Sequence, residues 1–290
     1  NVAIGYASLT ADDLGSKTVA IGTSAAGSQN YASATDSHNT NIGHEAGFFN
    51  VTGVQNTWVG SGAGVGASGN SNSNNVGVGY NAGNDITTGT HNTLIGGLAG
   101  DALTTGGSNV AVGYGALTTD DVGQHNVAIG RDALSAQNIA TAANTYNTAV
   151  GSTAGAAITT GIYNTLIGGL AGDALTDADY NVAVGGDALS TDTLGSRSVA
   201  IGTSALSAQN FTTATDAYNV AVGNSAGAAV TTGTNNTFVG GLAGDAFTDA
   251  DFNVGIGKNA LGSDTLGSKS TALGTFALET QNFTTATDAL

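Results

Sequence analysis

The chain has no cysteine, no methionine and no proline, and one tryptophan in 290 residues. Without cysteine there is no disulfide and no thiol chemistry. Basic residues are scarce too: five Lys and Arg stand against 21 Asp and Glu, a formal charge of −16. A phosphate backbone needs a basic face, so nucleic acid is excluded as a partner. Anionic membrane surfaces are disfavoured for the same reason. No apolar run approaches the roughly 20 residues of a membrane helix, so insertion of this segment into a bilayer is not expected. No signal peptide is visible either.

Glycine, by contrast, is abundant at 46 residues, and much of it falls in step. A five-residue motif recurs sixteen times, as Asn1-Val2-Ala3-Ile4-Gly5, Asn126-Val127-Ala128-Ile129-Gly130 and Asn181-Val182-Ala183-Val184-Gly185. Its closing glycines recur at spacings of 17, 19 or 21 residues. A short fixed period means a solenoid or fibre. The residue before the glycine is always aliphatic and β-branched in fifteen of sixteen copies, which suits a strand. These side chains, Ile21, Ile95, Val184, Ile201 and their equivalents, are expected to stack into one buried ladder. The glycine after them is expected at positive φ, turning a corner. Alanine three residues further on (Ala25, Ala116, Ala188, Ala277) predicts a second ladder of small side chains at a tight place. The first motif residue is Asn in thirteen copies, with Thr18, Ser198 and Ser270 as exceptions, and stacked Asn side chains can form amide ladders.

A longer period lies over the short one. Residues 75–146, 147–218 and 219–290 are three repeats of 72 residues, each of coils of 17, 17, 17 and 21 residues. Residues 1–74 are a diverged version, with Ser61 to Asn75 as a longer loop. The organisation expected is a single repetitive domain over 1–290, opening and closing on coil boundaries like a segment of a longer repetitive protein. Coils with Ala-Gly after the turn carry a second apolar residue at Ile158, Leu175, Val230 or Phe247. Coils with Ala-Leu carry one at Val122, Leu194, Phe211 or Leu266. Each is expected to face inward. The middle strand position (Ala3, Trp58, Leu94, Ala111, Leu166, Ala183, Phe238) alternates with the aliphatic ladder and is also apolar. If that ladder is the core, the middle position faces outward and needs a covering chain.

The repeated (N/S)-V-A-I-G, as in Ser198-Val199-Ala200-Ile201-Gly202, resembles the head repeat of YadA-like trimeric autotransporter adhesins. Asn147-Thr148-Ala149-Val150-Gly151 is similar to the N-T-A-V-G repeats of phage tail fibres. The resemblance covers the whole chain, although coils of 17 to 21 residues are longer than the adhesin repeat. It implies an all-β fold, a left-handed parallel β-solenoid or β-roll of about sixteen short coils, assembled as a homotrimeric fibre. It also implies an extracellular place, on a virion tail or a bacterial surface, and a non-enzymatic role in attachment to a host, with a cell-surface glycan or receptor as partner.

Residues that could carry chemistry are few. His38, His91 and His125 precede a motif Asn, at the position Tyr163, Tyr180, Arg197 and Tyr218 fill in other coils, and His44 stands apart. A position that accepts His, Tyr and Arg is not a ligand or catalytic site. Gly60, Gly62, Gly64 and Gly66 lack the strand–loop–helix setting of a dinucleotide site. Asp177 and Asp179, repeated as Asp249 and Asp251, and Asp12-Asp13, repeated as Asp120-Asp121, raise a calcium reading, since Ca²⁺ takes six to eight oxygen ligands. The Thr-Thr-Gly runs at Thr87, Thr104, Thr159 and Thr231 raise an ice-binding one. A Ca²⁺- or ice-binding extracellular solenoid is therefore the alternative function, against which the solvated acidic surface and broken threonine rows stand. The sequons at Asn50, Asn210, Asn235 and Asn282 follow from composition. No catalytic residue, cofactor or metal site is assigned. The candidate recognition surface is a ridge formed by the extra residues of the long coils: Thr212, Thr213, Thr215 and Asp216, and Thr284, Thr285, Thr287 and Asp288. The aromatic before it, Phe211, is expected to fill the core.

Overall fold

The computed structural model describes residues 1–288; positions 289 and 290, which end the third 72-residue repeat, lie outside the described residues. The chain divides into two compact units, Asn1–Tyr146 and Asn147–Leu290, at a repeat boundary. Among the described residues all regular structure is β. Each unit is a parallel β-solenoid with one motif strand per coil. The first unit stacks Val2–Ile4, Val19–Ile21, Thr40–Ile42, Thr57–Val59, Val76–Val78, Thr93–Ile95, Val110–Val112 and Val127–Ile129. The second stacks Thr148–Val150, Thr165–Ile167, Val182–Val184, Val199–Ile201, Val220–Val222, Thr237–Val239, Val254–Ile256 and Thr271–Leu273. Pairing is in register, Val182 on Val199, Ala183 on Ala200 and Val184 on Ile201. The all-β parallel solenoid read from the repeat is what the chain forms.

One expectation is inverted. The Ile/Val ladder is not the core. The middle strand residue is buried in nearly every coil, as at Ala20, Trp58, Leu94, Ala183 and Phe238, while the residues on either side of it face out. Period-two alternation gives opposite faces but not which face is inside, and here both are apolar. The width of the coil decides. The opposite wall brings in one residue four positions after the turn glycine, and the two walls share one space. Where the middle residue is large, that residue is Gly: Leu94 with Gly100, Leu166 with Gly172, Phe238 with Gly244, Trp58 with Gly64. A Cβ on Gly64 would lie 2.2 Å from the Trp58 ring, and one on Gly244 2.3 Å from Phe238. Where the middle residue is Ala, as at Ala111, Ala128, Ala183 and Ala200, the partner is Leu117, Leu134, Leu189 and Leu206, all fully buried. A continuous row of isoleucine would overfill such a core.

The second inward position is also corrected in part. It lies seven residues after the turn glycine throughout. Ile158, Leu175, Val230 and Phe247 occupy it and are fully buried, as expected. In Ala-Leu coils it is polar, Asp120, Asp192 or Asp264, each fully buried, and Val122, Leu194 and Leu266 are only half-buried. Phe211 in the long coil is buried, as expected.

The motif Asn side chains form the expected ladder and do more than stack. Asn181 Oδ1 accepts the backbone N–H of Ser198 in the next coil (2.9 Å), while its Nδ2 donates across the coil to the Gly195 carbonyl (2.9 Å). Asn92, Asn109, Asn164, Asn219 and Asn236 each make the same pair of bonds. The exceptions Thr18 and Ser198 begin long coils, where a glutamine supplies the missing amide. Gln209 Nε2 donates to Ser198 Oγ (3.1 Å), and its Oε1 accepts from Asn219 Nδ2 (2.9 Å). Gln29 does the same for Thr18 and Asn39.

Beyond the turn glycine the second and fourth residues lie in the left-handed region whatever their type, as at Asp187 (φ 55°) and Leu189 (φ 54°). Such residues cost roughly 1–2 kcal/mol each. The offset is that their N–H groups reach adjacent coils: Asp187 N–H donates to Gly169 O (3.1 Å) and Leu189 N–H to Ala205 O (3.0 Å). The alanine between them is buried at Ala25, Ala116 and Ala188, the expected small-residue ladder.

At the turn itself, every motif glycine has φ between 127° and 147°. Gly185 has φ 138°, and a Cβ there would lie 2.6 Å from the Gly202 carbonyl carbon and oxygen. Gly185→Val therefore combines a strained dihedral, of order 1–3 kcal/mol, with a backbone clash. A thermal melt should show a clear loss of stability, several times that of Gly169→Ala, where a Cβ meets nothing within 4 Å. Equal melting of the two variants would refute the turn argument.

Candidate functional site

Three surfaces or networks stand out from the repeating frame. The first is the ridge of the long coils. Thr215–Asp216 pairs in parallel with Gly195–Ser196, and Thr287–Asp288 with Gly267–Ser268, so the extra residues build a two-stranded corner beside the main sheet. Thr212, Thr213 and Asp216 are exposed, as are Thr284, Thr285 and Asp288; Thr215 and Thr287 are half-buried. Thr215 Oγ1 donates back to Thr213 O (2.9 Å), and Thr287 Oγ1 to Thr285 O (3.0 Å). The ridge carboxylates are each met by a base from the preceding coil: Arg197 Nε on Asp216 Oδ1 (2.9 Å), Lys269 Nζ on Asp288 Oδ2 (2.5 Å) and Lys17 Nζ on Asp36 Oδ2 (2.6 Å). The Lys17 hydrogen bond holds the Asp36 carboxyl below its usual range. The ridge is legible in the sequence, whereas these pairs are signalled there only by a basic residue one position before the Thr or Ser that replaces Asn. Arg197 also lies over the Tyr180 ring (4.8 Å), and Tyr163 stacks on Tyr180 at 5.2 Å.

The second feature is the buried carboxylate one coil before the ridge. Asp192 Oδ1 accepts the N–H groups of Gly195 (3.0 Å) and Phe211 (3.0 Å), and its Oδ2 accepts Gln209 Nε2 (2.5 Å). Asp264 repeats this with Gly267, Phe283 and Gln281. Asp120 accepts from Gly123 N–H (2.9 Å) and Gln137 Nε2 (2.6 Å). Burial raises the Asp120 carboxyl above its ordinary value, against the lowering by Gln137. Tyr31, in the first of the two long coils of the first unit, is pushed up to about 12 by burial and then by the Asp12 charge. Asp120 and Asp12 are thus inward members of a hydrogen-bond network, not part of a solvated acidic loop.

The remaining candidates are placed apart. Asp179 and Asp251 accept backbone N–H groups from Ile162 (2.8 Å) and Thr234 (2.6 Å), and Asp249 accepts the Thr232 hydroxyl (2.6 Å). Among the described residues no group of three or more His, Asp or Glu is arranged to hold a metal ion. His38, His91 and His125 are left-handed residues in separate coils, and His125 stacks on Tyr146 at 5.1 Å. Gly62 and Gly64 continue the left-handed positions of a regular coil, with Gly64 making room for Trp58, so the first part of the Ser61–Asn75 stretch is not a loop. The Thr-Thr-Gly hydroxyls are used inside the wall: Thr87, Thr104 and Thr231 Oγ1 each donate to a carbonyl of the next coil at 3.0 Å, and Thr159 at 3.3 Å.

The third feature is the outer face of the main sheet. Two rows run along each unit, one of Val and Thr (Val182, Val199, Val220, Thr237) and one of Ile and Val (Val184, Ile201, Val222, Val239). Ile95 and Ile167 are each 40 % exposed and Ile201 37 %. Among the described residues the face carries no charged side chain. Among the described residues no helix is long and apolar enough to cross a membrane.

Compared with known proteins, the chain matches no family model, no curated sequence and no solved structure.

Carboxylates that are wholly or partly buried give the solenoid a pH response. Asp101, Asp120, Asp173, Asp179 and Asp245 are all raised from 3.8, in each case chiefly by burial. A raised folded-state value means the native chain binds protons more readily than the unfolded one, so these groups oppose folding at neutral pH. That opposition fades as pH falls through the raised values towards 3.8, below which both states are protonated. The midpoint of thermal unfolding should therefore rise as pH is lowered from 7 to 4. A midpoint that falls over that interval would contradict the assignment.

Proposed function

We propose that this chain is a non-enzymatic segment of an extracellular attachment fibre, on a phage tail or a bacterial surface, and that three copies associate side by side through the outer sheet face. The observation that carries the reading is that face: two uncharged, half-exposed rows of Val, Thr and Ile repeated through every coil of each unit. Parallel sheets are normally covered on both sides, and contiguous exposed apolar surface marks an interaction site. Further copies of the same chain fit it best. They bring an identical row pattern with the same coil spacing, about 4.8 Å, so side chains of one copy interdigitate with those of another along the whole length. The number three comes from the resemblance of the motif to trimeric adhesin and tail-fibre repeats. With the interface moved to the Ile/Val face, the need for a partner chain expected from the sequence stays, on the opposite side of the strand.

A sedimentation measurement at micromolar concentration should give three times the 28.0 kDa chain mass. Ile201→Asp, which places a charge on the face and leaves the core untouched, should shift the particle towards the monomer with its far-UV spectrum kept. A folded wild-type monomer would overturn the trimer.

The long-coil ridges are the part of the proposal that concerns contact between fibres. Replacing Thr212, Thr213, Thr284 and Thr285 by Ala strips the exposed ridge of its hydroxyls and methyls at the loss of one long side-chain bond, Thr285 to Thr287 (3.4 Å). Melting is expected to be unchanged and side-by-side bundling, seen by electron microscopy, to be lost. Unaltered bundles would show the ridges to be passive.

A further inference from the structure

The corner just beyond the turn glycines carries a surface that the repeat does not require. Tyr80, Gly97, Tyr114 and Arg131 each follow a motif glycine in successive coils of the first unit. The glycines before them are in register, with N–H groups of Gly96, Gly113 and Gly130 bonded to Val78, Ile95 and Val112 carbonyls at 2.8 Å. The next residues keep the register: Leu98 N–H donates to Tyr80 O (2.9 Å), Gly115 N–H to Gly97 O (3.0 Å) and Asp132 N–H to Tyr114 O (2.9 Å). The four residues therefore form one row at one-coil steps. Tyr80 is 62 % exposed and Tyr114 60 %. Neither ring touches another aromatic among the described residues. Tyr114 leans back over Gly97, whose added Cβ would meet its Cδ2 at 3.4 Å, so the ring lies along the corner rather than standing off it.

Polar groups with planar ends border this row. Arg131 Nη1 holds Asp132 Oδ2 at 2.7 Å, and the Asp132 carboxylate leans over Gly115, 2.6 Å from where a Cβ would be. Asn81 follows Tyr80 directly. The fold does not demand the tyrosines. At the same places one repeat later stand Ser152 and Gly186, and two repeats later Asn224 and Lys258.

We infer that the Tyr80–Tyr114 row is a binding platform for an extended, uncharged polysaccharide of β-1,4-linked hexopyranoses. Aromatic rings present apolar faces to the C–H faces of sugars, and adjacent amide, carboxylate and guanidinium groups take the hydroxyls. The spacing selects the polymer shape. The backbones of Tyr80 and Tyr114 are two coils apart, about 9.6 Å. In a two-fold β-1,4-linked ribbon every second ring presents the same face, at a repeat close to this. The chain's charge of −16 disfavours an anionic polymer. The inference rests on the attachment reading and names the class of surface attached to.

The test uses the full chain, with microcrystalline cellulose and insoluble chitin as probes and granular starch, whose chains coil, as the control. Wild type should be depleted from solution by cellulose or chitin and not by starch. The variant Y80S/Y114G, built from the residues the chain itself uses at Ser152 and Gly186, should lose that depletion at least tenfold at unchanged melting temperature and particle mass. Tyr80→Phe with Tyr114→Phe, which keeps both rings, should retain it. No depletion of wild type by either polymer, or equal depletion of Y80S/Y114G, overturns the platform. Because particle mass is read in the same samples, a failed platform is distinguishable from a failed fibre.

Discussion

The structure depends on one interaction, the two-way hydrogen bonding of a buried asparagine at the head of each coil. Its carboxamide spans the coil in one direction and holds the next coil in the other, so closure and stacking are fixed by the same side chain. A buried amide left without partners costs roughly 1–3 kcal/mol, and here nearly every one is matched along its unit. The arrangement leaves little freedom in coil length. Asn181 reaches Gly195 within its coil and Ser198 in the next, and additional residues can enter only on the far side, at the ridge.

Core packing follows from that narrow cross-section. Two walls contribute to one file of side chains, and bulk on one is answered by glycine on the other. Trp58 shows how far this goes, since Gly64, Gly77 and Gly83 all lie against its ring. The stability of such a stack is shared between backbone bonds linking coil to coil and apolar burial within each coil, with little contribution from the exposed ion pairs of the ridge.

Much of the fold was legible in the sequence because its constraints act on single residue types. Only glycine fits φ near 138° against a neighbouring carbonyl, so Gly185 and its equivalents announced the turn. The amide ladder announced itself through Asn181 and Asn219. Which face of the strand points inward was not legible, because Ala183 and Val184 are both apolar and alternation alone does not choose between them. Asp192 was hidden for the opposite reason. A charged residue reads as surface, and its partners Gly195, Gln209 and Phe211 are up to nineteen residues away. Left-handed leucines such as Leu189 carry no sequence signal at all, since their conformation is imposed by bonds to adjoining coils. Of the candidate surfaces, the ridge could be found from the four extra residues, whereas the Tyr80–Tyr114 row becomes visible only once coil register places two distant tyrosines on one corner.

The glutamine of the long coil links three consecutive coils: Asp192 before it, Ser198 in its own, and Asn219 after it. The same relay runs from Asp12 through Gln29 to Asn39. Such a relay restricts where the stack of coils can be cut. Unequal recombination that separated the glutamine from its aspartate or from the following asparagine would strand a carboxylate or an amide inside the coil, whereas a break between the first and second coils of a repeat severs no relay. A whole four-coil block of 72 residues inserted at that break keeps every Asp–Gln–Asn relay intact.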